Sequence, residues 1–241
     1  MGQIIHKTDK VARDDRPPDT AGIELKPPNT GLVQSQESIT SLMRYREQLR
    51  FFRGLVGSIK KPNERLPIDL VVFSLACATG EEPASIAAVA LDEMGKKGIR
   101  LCEDVNLRVV GVDIDRRSVE KAREKISHGF TIRDTVGKSS PEDLEFVNSR
   151  LNEINQVVEI REGNITKPGE IMGLTDANVI FLNAASIHAF KPPNKYREFV
   201  DYLAQRVKGN CVIFTTDLFF HKNPDFIEMH LDDKTWLYRK R

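Results

Sequence analysis

Long apolar runs, dense basic segments and an even set of cysteines are all missing from this sequence of 241 residues. No stretch approaches the ~20 apolar residues of a membrane span, and the N-terminus has no apolar signal region. The formal net charge is only +1, so we expect neither a nucleic-acid partner nor direct membrane insertion. The three cysteines, Cys77, Cys102 and Cys211, are irregularly spaced, which indicates a reducing, cytoplasmic location.

The sequence also lacks the spacing of a metal site. His221, Asp225, Glu228 and His230 lie close together along the chain, but neither helical i, i+4 histidines nor zinc-finger spacing is present, so a solvated segment is favoured and no metal is predicted. The composition, 40% hydrophobic and 29% charged, supports one sizeable core. Residues 1–34 have proline pairs and little periodic apolar content, which predicts a mobile tail before one domain at 35–241.

The most informative stretch is Leu70–Ala90, which reads LVVFSLACATGEEPASIAAVA. Its apolar run is typical of a strand buried on both faces, and the small residues after it allow close approach of the backbone to a ligand. Glu81, Glu82 and Pro83 suit the first turn of a helix. A buried strand that enters a helix through a tight loop is the cofactor-binding corner of a doubly wound α/β sheet.

The type of cofactor follows from the charges at this corner. A pyrophosphate is usually held by G-x-G-x-x-G, whereas here Gly80 is followed by two acids that would repel phosphate. These acids are compatible with a cationic ligand without phosphate, such as S-adenosylmethionine (AdoMet). The next predicted strand ends in Asp113 and Asp115, where such folds bind ribose hydroxyls.

Four segments resemble the CheR-type chemotaxis-receptor methyltransferases. Residues 76–85, ACATGEEPAS, resemble the family signature GCATGEEPYS, and this ten-residue match is far more specific than a lone glycine pattern. Residues 111–115 (GVDID) and 119–122 (VEKA) resemble the family's DID…LEKA segment. Residues 51–53 (FFR) lie where the family has T-x-F-F-R, and 163–165 (GNI) resemble its N-L-L after the third strand.

This resemblance spans roughly Tyr45 to Arg241 and implies a set of site residues. The residues expected to bind AdoMet and its product S-adenosyl-L-homocysteine (AdoHcy) are Ala76, Ala78, Gly80, Glu81, Asp113, Ile114, Asn164, Ile165 and Asn183. Arg53 is expected to orient the acceptor, because a guanidinium holds a carboxylate bidentately, either the cofactor's or that of a substrate glutamate. His188 falls where relatives have the active-site Tyr.

The chain departs from the family at several of these positions. Relatives read F-C-R-N-V-x-I-Y-F after the fourth strand, whereas this chain has Asn183, Ala184 and His188 in place of the Arg, Asn and Tyr. Glu47 and Leu49 replace the Asn and Thr that precede F-F-R. A one-residue shift would let Asn183 stand in for the lost Asn. About forty residues precede Tyr45, too few for the separate helical domain of full-length relatives.

The expected fold is α/β: a doubly wound, mostly parallel, seven-stranded sheet of the class I AdoMet-dependent methyltransferase type, with an antiparallel closing hairpin. Helices are predicted at 35–59, 118–126 and 195–206, strands at 71–76, 107–112, 157–162, 177–182 and 211–216, and the hairpin at 226–230 and 235–238. Residues 95–106 are predicted to form a loop. Residues 129–140 are predicted to be a turn-rich insertion, followed by a truncated β subdomain or a helix near 142–154.

The leading functional hypothesis is methyl transfer from AdoMet to a carboxylate, plausibly a glutamate of a protein, with the role in chemotaxis and signal transduction that the resemblance implies. The altered residues at 47, 49, 184 and 188 motivate a first alternative, a degenerate AdoMet-binding module used for regulation or assembly. The reduced N-terminal region motivates a second, a methyltransferase that acts on a small-molecule carboxylate.

Overall fold

The computed structural model describes residues 41–60, 67–133, 139–183, 190, 193–216, 220–232 and 235–241, and all of them belong to one compact unit that spans Ser38–Arg241. The predicted tail at 1–34 lies outside the described residues, as do Ala184 and His188. Among the described residues, no helix is both long and apolar enough to cross a bilayer.

The described helices and strands alternate along the chain as expected for an α/β fold. The helices are α1 (Arg46–Gly57), α2 (Glu81–Lys97), α3 (Arg116–His128), α4 (Pro141–Asn148), α5 (Leu151–Val157) and α6 (Pro193–Arg206). The strands are β1 (Ile68–Leu75), β2 (Val105–Asp113), β3 (Val158–Glu162), β4 (Val179–Leu182), β5 (Val212–Thr215), β6 (Phe226–Asp232) and β7 (Thr235–Lys240).

The seven strands form one sheet in the order β3-β2-β1-β4-β5-β7-β6. Strands β1 to β5 are parallel, while β7 pairs antiparallel with both β5 and β6. This confirms the predicted doubly wound sheet with its closing hairpin. Since β1 pairs with β2 on one side and with β4 on the other, the strand order reverses at β1, and a crevice is expected at its carboxyl end.

Both faces of the sheet are covered by apolar residues, which explains the continuous apolar runs of the central strands. One face carries Val72, Val109 and Phe181 and packs against α1 to α5. The other face carries Phe73, Val110 and Ile180 and packs against α6. Side chains therefore alternate between two buried layers along each strand.

Several predicted boundaries differ from the structure. Within the described residues, the helix predicted over 35–59 begins at Arg46, because the amides of Leu42 and Met43 donate to the side chains of Ser139 and Ser85 instead of to helical carbonyls. The loop predicted at 95–106 is shorter, since α2 runs to Lys97 and ends at Gly98 in the left-handed conformation, and β2 begins at Val105.

The segment before β3 resolves the choice between a β subdomain and a helix. Residues 141–157 form α4 and α5, which confirms the helical alternative. The start of α4 is fixed by a capping box, in which Ser140 Oγ accepts from the Asp143 amide and the Asp143 carboxylate accepts from the Ser140 amide. Pro141 at the first position suits a helix start because its missing N–H would have no helical partner.

Candidate active site

The loop between β1 and α2 is held in an unusual backbone conformation. Ala76, Ala78 and Gly80 all have positive φ, at 60°, 49° and 91°. Non-glycine residues rarely adopt this conformation, and such strain concentrates at ligand-binding sites. Small side chains are required here, because the Cβ of a larger residue at Gly80 would come within 2.9 Å of the Ala122 Cβ of α3.

The carboxylate of Asp113, at the end of β2, is tied to this loop. Its Oδ2 accepts from the Ala78 amide at 2.8 Å, and its Oδ1 accepts from the Asp115 amide at 2.9 Å. The next residue, Ile114, is 65% exposed although it is a large apolar side chain. A carboxylate beside an exposed apolar surface matches the ribose hydroxyls and the base of a nucleoside.

The predicted residues after β3 lie at the same edge of the sheet. Asn164 Oδ1 accepts from both the amide and the hydroxyl of Thr166, at 2.9 and 2.8 Å, which turns the chain away from the strand. Ile165 is buried under the neighbouring face of the sheet. The carboxyl ends of β1, β2 and β3 therefore place Ala78, Asp113 and Asn164 at one edge of the sheet.

Glu81 is placed differently from a ligand-contacting residue. Its side chain is fully buried, and its carboxylate accepts from Lys125 Nζ of α3 at 2.7 Å and from Thr79 Oγ1 at 2.8 and 2.9 Å. A buried carboxylate paired with a lysine fastens α2 to α3. The structure therefore does not place the Glu81 carboxylate where it would contact a ligand, unlike the predicted cofactor-binding role, because Lys125 and Thr79 bind it inside the fold.

The neighbouring Glu82 bonds to residues at the carboxyl ends of β1 and β4, where a crevice is expected, and the sequence reasoning missed it as a site residue. Its Oε1 accepts from Ser74 Oγ of β1 at 2.7 Å, and its Oε2 accepts from Asn183 Nδ2 at the end of β4 at 2.8 Å. The sequence did contain a signal for such a residue, because Ser74 interrupts the apolar run of β1 and a buried hydroxyl needs a polar partner.

Asn183, predicted to bind the cofactor, lies at the point where the strand order reverses. Its Nδ2 also donates to Gln48 Oε1 of α1 at 2.9 Å, and its Oδ1 accepts from Gln48 Nε2 at 3.0 Å. Gln48 and Asn183 are both buried. Ser74, Glu82, Asn183 and Gln48 thus form a continuous polar network across β1, α2, β4 and α1.

The burial of this network changes the pKa of its one carboxylate, that of Glu82. Desolvation raises the pKa of Glu82 above its ordinary value, while the hydrogen bonds from Asn183 and Ser74 and the charge of Arg44 act in the opposite direction. An anion that is held at such an energetic cost is stabilised by any cation that enters the crevice. The sulfonium and ammonium groups of AdoMet are two such cations, so the side chains present fit that cofactor.

Arg53, the predicted acceptor-binding residue, lies away from this edge. Its Nη2 pairs with Asp92 Oδ2 at 3.3 Å, and the same carboxylate also pairs with Lys96 and Arg150. Asp92 is ten residues after Glu82 on α2, about 15 Å along the helix axis. The structure therefore does not bring Arg53 together with the predicted cofactor residues. The second predicted catalytic residue, His188, lies outside the described residues.

Comparison with known proteins adds a family assignment to this geometry. The sequence model of the family "CheR methyltransferase, SAM binding domain" matches residues 38–215. No curated protein sequence matches the chain. Among solved structures, the chain is similar to a protein described as a caffeoyl-CoA O-methyltransferase of Staphylococcus aureus, with 12% identity over 80% of this chain and 83% of that one and a TM-score of 0.47.

The chain is also similar to an RNA methyltransferase of Salinibacter ruber solved in complex with AdoHcy, with 16% identity over 80% of this chain and 88% of that one and a TM-score of 0.42.

Proposed function

Because the chain belongs to the CheR methyltransferase family through its AdoMet-binding domain, we propose that it transfers the methyl group of AdoMet to the side-chain carboxylate of a protein glutamate. AdoMet is its cofactor, and methyl transfer is its reaction class. The single observation that supports the binding mode best is the Glu82 carboxylate, held by Ser74 and Asn183 where the strand order reverses.

Different residues at this edge of the sheet are proposed to bind different parts of AdoMet. Asp113 would accept hydrogen bonds from the ribose hydroxyls, and Ile114 would pack against the base. Glu82 would stabilise the positive charges at the other end of the molecule. When bound, AdoMet supplies an electrophilic methyl group, which the acceptor oxygen takes as the carbon–sulfur electron pair leaves on sulfur.

A carboxylate acceptor needs little from the protein besides orientation. It is ionised at neutral pH and attacks without a catalytic base. The side chains must align its oxygen with the methyl group and exclude water, and such alignment lowers the barrier because it makes the transfer effectively unimolecular. His188, at the family's Tyr position, remains our proposal for a residue that contacts the acceptor.

A second candidate function is an AdoMet-binding module without methyl transfer. It is favoured by Asn183, which stands where relatives have Arg and whose amide bonds both Gln48 and Glu82. In such a module, cofactor binding would act through the link that this residue forms between α1 and α2.

The test is to incubate the protein with methyl-labelled AdoMet and either glutamate-rich peptides or a panel of small carboxylic acids. Label on a peptide that mild base releases as volatile methanol is the expected result, because esters hydrolyse and methylated nitrogen does not. Base-stable label would overturn the carboxylate proposal. Label confined to a small acid would support the small-molecule alternative, and AdoHcy binding with no transfer would support the module.

His188→Ala is expected to lower turnover, and His188→Tyr to retain it.

A further inference from the structure

Gln48 of α1 is a fully buried polar residue for which the proposed binding of AdoMet assigns no role. A buried amide is unfavourable unless its polar atoms find hydrogen-bond partners inside the protein. The family resemblance concerns positions 47, 49 and 51–53 around it, but not position 48 itself. The contacts of Gln48 therefore have to explain why a polar side chain is buried here.

Aromatic contacts fix the position of α1 over the sheet. The Phe52 ring meets the Phe181 ring of β4 edge-on, with the ring centres 5.6 Å apart. The Phe51 ring lies 6.1 Å from that of Phe214 on β5, and Phe214 stacks on Phe181 at 4.7 Å. The two phenylalanines of the F-F-R segment therefore dock α1 onto β4 and β5.

The same docking brings Gln48 to Asn183. Gln48 precedes Phe52 by four residues, so the two side chains lie on one face of α1. Asn183 follows Phe181 by two residues, and alternate residues of a strand point to the same side of a sheet. One helical turn (about 5.4 Å) and two residues of strand (about 6.6 Å) have similar lengths, so both pairs form together when α1 runs antiparallel to β4.

Gln48 and Asn183 form a reciprocal pair of amides. Gln48 Nε2 donates to Asn183 Oδ1 at 3.0 Å, and Asn183 Nδ2 donates to Gln48 Oε1 at 2.9 Å. The same Asn183 Nδ2 donates to Glu82 Oε2 at 2.8 Å, so both of its hydrogens are used. Because its oxygen and one hydrogen bond to Gln48, the Asn183 amide is held with its other hydrogen directed at Glu82.

Without Gln48, the Asn183 amide would keep only its bond to Glu82. Its oxygen and its second hydrogen would be buried without partners, and any rotation that satisfies them would compete with that bond. An ionised carboxylate only accepts hydrogen bonds, so an Asn183 oxygen turned toward Glu82 would repel it. Burial raises the pKa of Glu82, and the hydrogen bond from Asn183 is the largest effect that opposes this rise.

We infer that Gln48 is a positioning residue for cofactor binding, which holds Asn183 in the orientation that donates to Glu82 and so sets the affinity of the site for the ammonium group of AdoMet. The inference rests on the proposed contact between Glu82 and the cationic end of AdoMet. It connects α1 and its F-F-R segment to the site through packing and hydrogen bonds, and not through Arg53.

The test is a double-mutant cycle on AdoHcy affinity, measured by calorimetry for the wild type, Gln48→Met, Asn183→Ala and the double variant. Methionine has the length of glutamine without its amide, so the packing of α1 is kept. Gln48→Met should lower the affinity roughly 5- to 20-fold. It should have no further effect in the Asn183→Ala background, because the residue that it positions is absent.

Two further variants of α1 complete the set. Arg50→Met is the matched control, because the Arg50 side chain is 81% exposed on the same helix, and it should bind AdoHcy like the wild type. Gln48→Asn keeps an amide but withdraws it from Asn183 by one methylene, so it should also lower the affinity. This second variant tests the inference if Gln48→Met does not fold.

A second ligand separates positioning from a general loss of structure. Methylthioadenosine contains the nucleoside but no ammonium group, so Gln48→Met should bind it as tightly as the wild type does. Equal losses for methylthioadenosine and AdoHcy would overturn the inference, since they would indicate a distorted fold. A loss of AdoHcy affinity that persists in full in the Asn183→Ala background would overturn it as well.

Glu82→Gln, measured in the same way, separates this inference from the proposed function. A loss of AdoHcy affinity in Glu82→Gln without one in the Gln48 variants would overturn only the role of Gln48. Unchanged affinity in all of them would overturn the proposed contact of Glu82 with AdoMet as well. Failure of the carboxylate proposal is separate again, because it appears in the wild type as label that is not base-labile.

Discussion

The two adjacent glutamates at the start of α2 differ in their effect on the stability of the fold. Successive residues of a helix point about 100° apart, so Glu81 contacts Lys125 of α3 while Glu82 contacts Ser74 of β1 and Asn183 after β4. Lys125 neutralises Glu81, whereas Glu82 is bonded by the uncharged side chains of Ser74 and Asn183. The first carboxylate therefore stabilises the fold, and the second has an unfavourable ionised state that a cationic ligand can relieve.

The same substitution at these two positions should change stability in opposite directions. For Glu82→Gln, we expect a higher free energy of unfolding of the ligand-free protein near pH 7, because an amide has no charge to desolvate. AdoHcy affinity should fall by roughly 10- to 100-fold. For Glu81→Gln, Lys125, whose side chain is 11% exposed, loses the carboxylate that it contacts at 2.7 Å, and a loss of about 3 kcal/mol in the free energy of unfolding is expected. Urea unfolding and calorimetry measure both quantities, and a change of the same sign in the two variants would contradict the assignment.

The pH dependence of the Glu82→Gln effect follows from the raised pKa of Glu82. Between the ordinary value of 4.5 and the raised value, the folded state holds a proton that the unfolded state releases. The contribution of Glu82 to the stability of the wild type therefore falls as the pH rises from 4.5 through the raised pKa of this group. The stability advantage of Glu82→Gln should consequently appear as pH rises and disappear below pH 4.5. An advantage that is constant from pH 4 to pH 8 would show that ionisation of Glu82 is not its cause.

At the scale of elements, the strained turn between β1 and α2 depends on how α3 packs against it. Gly80 has a φ of 91°, and a Cβ there would lie 2.9 Å from the Ala122 Cβ and 3.2 Å from its Cα. Neither atom can move unless the whole of α3 moves. The loop, α2 and α3 therefore form one mechanical unit, which also contains the Glu81–Lys125 pair.

Gly80→Ala should disrupt this unit, with a loss of about 1 to 3 kcal/mol in the free energy of unfolding and weaker AdoHcy binding. Ala76→Gly is the matched control in the same loop. It replaces a residue at a φ of 60° by the residue of the family signature, so a stability change within about 1 kcal/mol and intact binding are expected. Urea unfolding of both variants measures the difference. An equal effect of the two substitutions would exclude the packing against Ala122 as the cause.

At the scale of the whole molecule, ligand binding should stabilise the fold without a metal. The proposed AdoMet site uses side chains of α2, of the end of β2 and of the residue after β4, and among the described residues no three His, Cys, Asp or Glu side chains are grouped to hold a metal ion. We expect AdoHcy at 100 times its dissociation constant to add about 2.7 kcal/mol to the free energy of unfolding. Thermal unfolding with and without a saturating chelator measures this. Stabilisation that the chelator abolishes would show that a metal is part of the site.

Much of the fold could be predicted because it depends on local patterns. The apolar run before Ala76, the small residues up to Gly80 and the acids after it specify a strand, a tight turn and a helix start within about fifteen residues. Asp113 follows an equally plain strand, and parallel strands end at the same edge of a sheet. The sequence alone thus determined the sheet and its closing hairpin, apart from the segment before β3, and it predicted the edge of the sheet where the cofactor is expected to bind.

The directions of individual side chains were decided only by the tertiary structure. The helical pattern from residue 35 could not show that Ser139 and Ser85 bind the amides of Leu42 and Met43 and delay the start of α1. Nor could it show that Asp92 engages Arg53, or that Gln48 meets Asn183, 135 residues away. Periodicity specifies which residues share a face, but the partner of a polar side chain depends on which distant element packs against that face, and that is set by the assembled core.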